Sequence, residues 1–331
     1  MILTGYLVGL GELHLSGNFQ VCGPSCLVHS QNSQRLMCTD RNGKDAFDGS
    51  KKASQLPTGA SWSVTTTTAL QLAQLHMLAS MDSHPDYVLG HSFGVSLRRT
   101  RSILETDRVT GEVPAAYACG MLELKEAITI AYRSSYVLEQ MSGPGEMLVC
   151  DMDFATATKE VETLGLSETL RVACINSSSS TTIAGCVQSA ETFKQHLLGQ
   201  GSLVRRLRTC DVAYHSHLID ALARELESEL ACCLKKSDDK RKSTCTWISS
   251  VSPGEIPSGT EVYWYTNLSQ VVLFKQAVAS FVGLEPVFDA VEIGPHPTLE
   301  RPFLQTVEEC TGQIIGSQIT YQAIERRGRG N

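Results

Sequence analysis

Apolar residues recur at helical spacing over residues 66–81, and this pattern predicts an amphipathic helix there. The short apolar run Tyr87-Val88-Leu89 that follows is typical of a buried strand. A second helical pattern covers residues 115–141 and is interrupted near Cys119-Gly120. Residues 1–57 have no sustained period, so the pattern assigns no helix or strand in that region.

Residues 143–208 alternate short apolar runs with helical patterns. The predicted strands cover residues 147–150, 171–175, 181–184 and 203–207, and the predicted helices cover 155–164 and 190–198. A turn at Asn176-Ser177-Ser178 is expected to join the two central strands. The resulting order, βαββαβ, is that of a ferredoxin-like module.

The remainder of the chain continues the alternation of helices and strands. Helices are predicted at residues 218–234 and 273–282, and strands at 245–251 and 290–293. This alternation is typical of an α/β core built on a parallel sheet. We therefore expect a small antiparallel module inserted into a larger α/β core.

The composition describes a globular protein and narrows the range of its partners. A chain of 331 residues with 42% hydrophobic and 19% charged residues can bury a large core. The net charge is −7 and the charged loop at residues 235–242 mixes both signs, so no nucleic-acid partner is expected. No stretch approaches the roughly twenty apolar residues of a membrane span, so no membrane association is expected.

The twelve cysteines indicate neither a metal site nor a disulfide framework. They lack paired CxxC spacing, and residues 1–15 do not have the form of a secretory signal. We therefore expect reduced thiols, a cytoplasmic location and no bound metal.

The segment Gly90-His91-Ser92-Phe93-Gly94 has the form of a nucleophile elbow. A strand that runs into a sharp turn exposes the serine, and glycines are needed where the backbones of strand and helix crowd together. In a serine-rich chain the same pattern also arises by chance, so the motif alone leaves a structural turn as an equal alternative.

Three further segments, in a fixed order, extend this motif into a family pattern. They are Asp211-Val212-Ala213-Tyr214-His215-Ser216-His217, Tyr263-Trp264-Tyr265-Thr266-Asn267-Leu268 and Val291-Glu292-Ile293-Gly294-Pro295-His296-Pro297. From about residue 56 to residue 319 the chain resembles the malonyl-type acyltransferase domain of fungal highly reducing polyketide synthases. The resemblance implies a hydrolase-like α/β core at residues 56–142 and 209–331, a ferredoxin-like subdomain at 143–208 and a divergent segment at 1–55.

The resemblance also implies a mechanism and its partners. Ser92 would be the nucleophile and His215 its general base, because a serine hydroxyl needs a base at neutral pH. The backbone carbonyl of Asn267 would orient the imidazole, and the amide of Phe93 would bind the oxyanion. Malonyl-CoA would donate the acyl group to the phosphopantetheine thiol of an acyl carrier protein, or to another polyketide synthase domain, with no further cofactor.

Two more residues are expected to bind substrate. Arg133 matches the family arginine that binds the malonyl carboxylate, for which a guanidinium fork is well suited. From its sequence position alone, a surface ion pair is the simpler interpretation of Arg133. His91 is expected to line the pocket, with a packed turn residue as the alternative.

Other interpretations remain open at this stage. Asp289 and His296 follow Ser92 in the order of a hydrolase triad, so a serine hydrolase or thioesterase is one alternative. An inactive fragment of a synthase is another, because the family's Gly-Gln-Gly segment, which supplies an oxyanion donor, has no match in residues 1–55. In addition, seventeen residues, 95–111, interrupt the family pattern directly after the elbow, as a retained intron or a surface loop.

Overall fold

A computed structural model of the chain describes eleven segments. They are residues 2–4, 29–30, 36–37, 59–93, 111–141, 143–234, 245–255, 257–285, 287–294, 297–312 and 319–324. Expectations for residues 94–110, for His296 and for most of residues 1–55 fall outside these segments.

The described elements alternate along most of the chain. The strands are β1 (Ile2–Thr4), β2 (His29–Ser30), β3 (Leu36–Met37), β4 (Tyr87–Leu89), β5 (Gly145–Cys150), β6 (Leu170–Ser177), β7 (Ser180–Cys186), β8 (Val204–Leu207), β9 (Thr246–Ile248), β10 (Phe288–Ile293) and β11 (Ile319–Ala323). The helices are α1 (Ala60–Ser80), α2 (Glu112–Ala118), α3 (Leu124–Met141), α4 (Phe154–Thr163), α5 (Val187–Gly199), α6 (His217–Asp220), α7 (Ala223–Cys233), α8 (Glu261–Ser269), α9 (Phe274–Leu284) and α10 (Glu300–Thr311).

A five-stranded sheet forms the centre of the larger part of the molecule. Its strand order is β11-β10-β1-β4-β9, and all four pairings are parallel. Strand β1 lies in the middle of the sheet, with Ile2 level with Val291 on one side and with Val88 on the other. The sequence pattern assigns no element in residues 1–57 and so misses β1, because three residues are too few for a pattern to be visible.

A four-stranded antiparallel sheet with the order β6-β7-β5-β8 forms the smaller part. The βαββαβ element order of residues 143–208 is present as predicted, with every bound within three residues. The tight turn is Ser178-Ser179, so the predicted turn at residues 176–178 is wrong. Asn176 and Ser177 belong to β6, which has a register shift between Ile175 and Ser177.

Helix α1 begins six residues before its predicted start. The carboxylate of Glu139 on α3 accepts hydrogen bonds from the backbone amide of Ser61 at 2.8 Å and from its hydroxyl at 2.5 Å. The threonine hydroxyls of the first turns donate to backbone carbonyls of the preceding turn, for example Thr67 to Ser63 at 2.9 Å. A carboxylate 78 residues away thus satisfies an N-terminal donor that the local sequence leaves open.

Several other bounds differ from the sequence pattern. The single helix predicted over residues 218–234 is two helices, α6 and α7, separated at residues 221–222. The strand predicted over residues 245–251 ends at Ile248. Beyond it, the backbone amide of Ser250 donates to the carboxylate of Glu112 at 2.7 Å. Helices α8 and α10 and strand β11 were not predicted.

The described residues offer no membrane span or disulfide. None of their helices combines the length and apolar character needed to cross a bilayer. The nine cysteines that they include are free thiols, and they contain no cluster of His, Cys, Asp and Glu that could hold a metal ion.

Candidate active site

Ser92 follows β4 in a strained turn. Its φ of 61° lies in the left-handed region, which costs roughly 1–3 kcal/mol for a residue other than glycine. The backbone amide of Glu112, the first residue of α2, donates to the carbonyl of Ser92 at 2.8 Å. A Cβ atom at Gly90 would lie 2.6 Å from the Cα of Glu112, so only glycine permits this approach of strand and helix.

Ser92 and His215 form a hydrogen-bonded pair. The Oγ atom of Ser92 lies 2.5 Å from the Nε2 atom of His215, and both side chains are buried. The Nδ1 atom of His215 lies 2.9 Å from the carbonyl oxygen of Gln270. A carbonyl only accepts, so Nδ1 carries the proton and Nε2 is the acceptor for the serine hydroxyl.

The environment of His215 keeps its imidazole neutral. Burial, and secondarily the nearby His91, lower the pKa of His215 from 6.5 to about 3. A neutral imidazole with its free nitrogen toward Ser92 can accept the hydroxyl proton at neutral pH.

The predicted orienting carbonyl is corrected by the structure. We expected Asn267, but the hydrogen bond at 2.9 Å runs to Gln270, one residue beyond the end of α8. The Asn267 carbonyl contributes a smaller interaction that also favours the protonated ring. The Asn267 side chain is buried, and its amide has no hydrogen-bond partner among the described residues.

The backbone of His215 is also strained, with a φ of 58°, and Arg171 on β6 holds it in place. The Nε atom of Arg171 donates to the His215 carbonyl at 3.1 Å, and an Nη atom donates to the Ser269 carbonyl at 2.6 Å. The same guanidinium contacts both oxygens of Asp220, at 2.8 and 3.1 Å. Sequence reasoning missed Arg171, since nothing in its local pattern separates it from any other strand arginine.

His91 is buried beside the nucleophile. Its Nε2 atom lies 2.8 Å from Oδ1 of Asn176, and its ring meets the edge of Phe274 at a centroid distance of 5.0 Å. The Asn176 amide nitrogen donates to Thr182, so Asn176 presents its oxygen to His91. These contacts link the nucleophile turn to β6, and a pocket-lining role for His91 stays a prediction.

Phe93 supplies both a packed side chain and a backbone amide. Its ring is fully buried and meets Trp264 edge-on at 6.2 Å between centroids. Its amide makes no hydrogen bond within the described part of the chain, and its role as an oxyanion donor stays a prediction.

No described contact joins Arg133 to the Ser92–His215 pair. The guanidinium of Arg133, on α3, donates to the carboxylate of Glu229 on α7 at 2.6 Å, and about a third of each side chain is exposed. This ion pair corresponds to the simpler interpretation of the sequence. The predicted binding of a malonyl carboxylate would require Arg133 to exchange Glu229 for the substrate.

The residues of the alternative hydrolase triad do not come together among the described contacts. Asp289 is exposed on β10 and accepts a hydrogen bond from Thr320 of β11. His296 lies outside the described residues. The Nδ1 position where a triad carboxylate would bind is occupied by the Gln270 carbonyl.

A cavity of about 690 Å³ lies between the smaller sheet and α10. Its lining includes Ser179, Arg205, Arg301 and Gln305, and it does not include Ser92 or His215. Gln305 accepts a hydrogen bond from Ser177 at 2.8 Å, one residue from the Asn176 that contacts His91. The cavity therefore adjoins the end of β6, whose Asn176 contacts His91, and it does not contain the serine–histidine pair.

The fold and the buried serine–histidine pair together define an α/β protein with the side-chain arrangement that nucleophilic serine chemistry requires. The family model described as "Acyl transferase domain" matches residues 109–323. "Highly reducing polyketide synthase 19" of Pyricularia oryzae is 34% identical over 285 residues, covering 82% of this chain and 10% of that protein. "Hybrid PKS-NRPS synthetase apdA" of Emericella nidulans is 34% identical over 273 residues, covering 79% and 6%.

Solved structures agree on the fold. The acyltransferase domain of phenolphthiocerol/phthiocerol synthase A from Mycobacterium bovis (BCG) has a TM-score of 0.69 at 24% identity, covering 84% of this chain and 96% of that one. The malonyl CoA-acyl carrier protein transacylase from Clostridium perfringens has a TM-score of 0.63 at 16% identity, covering 81% and 76%.

The chain belongs to the acyl transferase domain family, as the sequence resemblance implied. Its fold is the α/β acyltransferase fold of polyketide synthase domains. The chain spans about a tenth of the length of the curated synthases that it matches. The family-model match begins at residue 109, near the end of the interruption at 95–111, so it does not include Ser92.

Proposed function

We propose that this chain transfers a malonyl group from CoA to the phosphopantetheine thiol of an acyl carrier protein through an ester on Ser92. One observation carries the proposal: the Ser92 hydroxyl lies 2.5 Å from the acceptor nitrogen of a neutral, buried His215. The membership in the acyl transferase family supports the reaction class, and the fungal synthases support a polyketide setting.

The first half-reaction forms the ester. The Oγ atom of Ser92 attacks the thioester carbonyl carbon while its proton passes to Nε2 of His215. The amide of Phe93 donates to the resulting oxyanion. The carbon–sulfur bond then breaks, and the proton on His215 passes to the departing CoA thiolate.

The second half-reaction reverses these steps with a different thiol. His215 takes the proton of the phosphopantetheine thiol, whose sulfur attacks the ester on Ser92. The carbon–oxygen bond breaks and the proton returns to Ser92. Atoms and charges balance without a metal or redox cofactor, so acyl-CoA and the carrier domain are the partners of the reaction.

The family resemblance assigns Arg133 to the malonyl carboxylate. His91, beside the nucleophile, would line the acyl pocket, and Asn267 would be a further substrate-binding residue. The buried amide of Asn267, without a partner among the described residues, supports its role because a ligand would satisfy it.

The architecture is best described with the domain bounds expected from the sequence. Residues 143–208 form a ferredoxin-like subdomain inserted into a hydrolase-like core at 56–142 and 209–331. The antiparallel order β6-β7-β5-β8 supports the ferredoxin-like subdomain, and the turn from β4 to Ser92 supports the hydrolase-like core. The free thiols among the described cysteines support a cytoplasmic location.

A labelling experiment tests the proposal. The protein is incubated with malonyl-CoA radiolabelled in the acyl group and then analysed on a denaturing gel. We expect label on the wild type and on the exposed-serine control Ser258→Ala, and none on Ser92→Ala. Addition of a phosphopantetheinylated carrier protein should move the label to the carrier. An unlabelled but folded wild type would favour an inactive fragment.

The role of Arg133 needs a separate comparison. If its guanidinium binds the carboxylate, Arg133→Ala should reduce labelling by malonyl-CoA on the order of a hundredfold while sparing acetyl-CoA, which has no carboxylate. If Arg133→Ala reduced labelling by malonyl-CoA and by acetyl-CoA equally, Arg133 would not bind the carboxylate, and its role would be the ion pair with Glu229.

A further inference from the structure

Glu112 is a buried carboxylate beside the nucleophile turn to which the proposed reaction assigns no role. It is fully buried, and its carboxylate accepts four hydrogen bonds. The Ser250 amide and hydroxyl both donate at 2.7 Å, the Trp247 indole at 2.6 Å and the Tyr263 hydroxyl at 3.0 Å. Burial raises the pKa of Glu112, and these donors oppose that shift.

The backbone of Glu112 contacts the other side of the site. Its amide donates to the Ser92 carbonyl at 2.8 Å, and its Cα packs on Gly90. The covalent path from Phe93 to Gly111 passes through residues 94–110, so the chain does not fix α2 at the serine directly. Contacts of Glu112 therefore replace the short covalent link that an uninterrupted turn would provide.

Through Tyr263, the Glu112 carboxylate contacts the frame that carries His215, which consists of α8 and the residues up to Gln270, and its other two partners lie on or just after β9. Tyr263 lies on α8, and α8 leads into the carbonyls of Leu268 and Gln270. The Leu268 carbonyl accepts from the His215 amide at 2.9 Å, and the Gln270 carbonyl accepts from its Nδ1 at 2.9 Å. Glu112 thus connects the nucleophile, through its backbone amide, with the frame of the base, through its carboxylate.

We propose that Glu112 is the positioning residue that sets Ser92 Oγ against His215 Nε2. The inference deepens the proposed function and depends on the same pair of residues. Glutamine at this position would place an amide NH2 against either the Ser250 amide or the Trp247 indole, and that N–H would lose its acceptor, since only the hydroxyl beside it can turn to accept. The frame would then relax, and the serine–histidine distance would lengthen.

A double-mutant cycle tests this role with a fluorophosphonate, which reacts with an activated serine and needs no malonyl pocket. We expect the single change Glu112→Gln to slow this reaction at least tenfold. The single change His215→Ala should slow it more than that. In the His215→Ala protein, the additional Glu112→Gln change should have little effect, because no base is left to position. Glu126→Gln, a buried acid at the start of α3, is the matched control and should react like the wild type.

The outcomes separate the two proposals. If the wild type reacts with fluorophosphonate but not with malonyl-CoA, the proposed function fails and the cycle still measures positioning. If the effects of Glu112→Gln and His215→Ala multiply, Glu112 acts independently of the base and the inference is overturned. If Glu112→Gln does not fold, Trp247→Phe removes one donor to the carboxylate, and its cycle with His215→Ala decides in the same way. A wild type that reacts with neither reagent overturns both proposals.

Discussion

Deleting residues 94–110 should stabilise the protein, because the two ends of this segment already meet. The Ser92 carbonyl accepts from the Glu112 amide at 2.8 Å, and a Cβ on Gly111 would lie 3.0 Å from the Phe93 carbonyl oxygen. After deletion the chain reads Ser92-Phe93-Gly111-Glu112, so the existing hydrogen bond would join residues i and i+3 of a tight turn. The described parts of the elbow need not move.

The magnitude follows from loop closure. Closing seventeen residues costs about 2.5 kcal/mol of chain entropy, from (3/2)RT ln n, and the deletion removes this cost. With an unfolding entropy of about 2.1 cal/mol/K per residue, that free energy raises the melting temperature by about 3 to 4 °C.

Differential scanning calorimetry measures the shift, and fluorophosphonate labelling of Ser92 checks that the turn survives. We expect a higher melting temperature and a labelling rate at least equal to that of the full chain. A deletion of equal length elsewhere is not a fair control, so the comparison is with the full-length chain under the same scan. A lower melting temperature, or loss of labelling, would refute the reasoning that Phe93 and Gly111 can be joined directly without disturbing the turn at Ser92.

Three further outcomes are expected. Acylation of Ser92 should persist well below pH 6.5, because the pKa of His215 is lowered to about 3; a pH–rate profile with its midpoint near 6.5 would contradict this. Arg171→Lys should slow acylation on the order of tenfold, since lysine cannot hold two carbonyls and a carboxylate together, and an unchanged rate would count against that role. Burial raises the pKa of Glu292 from 4.5 to about 7, so its folded form binds a proton that the unfolded form has lost. Stability should fall as pH rises through this interval, and Glu292→Gln should remove that component of the melting curve; an identical pH dependence in the variant would exclude Glu292 as its source.

The sequence predicted those parts of the site that depend on local pattern or family segments. Ser92 follows a visible apolar strand, and His215 lies in a recognisable segment, so their pairing was expected. Gln270 could not be selected, because every residue has a backbone carbonyl and only the bend after α8 decides which one faces the ring. Arg171 was missed for a similar reason, since its three acceptors come from segments 44 to 98 residues away.

The longer elements of the fold could be predicted from the sequence, whereas short strands and some helix ends could not. The smaller sheet was found because its strands have four or more residues with clear turns. Strand β1 was missed because three residues carry no period, although it is central to the large sheet. The early start of α1 depends on the Glu139 carboxylate, which no local rule connects with Ser61.

The left-handed backbone conformation at Ser92 and His215 lowers the stability of the fold, while the side chains of the same two residues are needed for activity. Glycine accepts this conformation without strain, so a mutant library screened only for heat resistance should enrich Gly at position 92 and discard the hydroxyl. Any engineering programme on this domain therefore needs a catalytic readout in every round of selection.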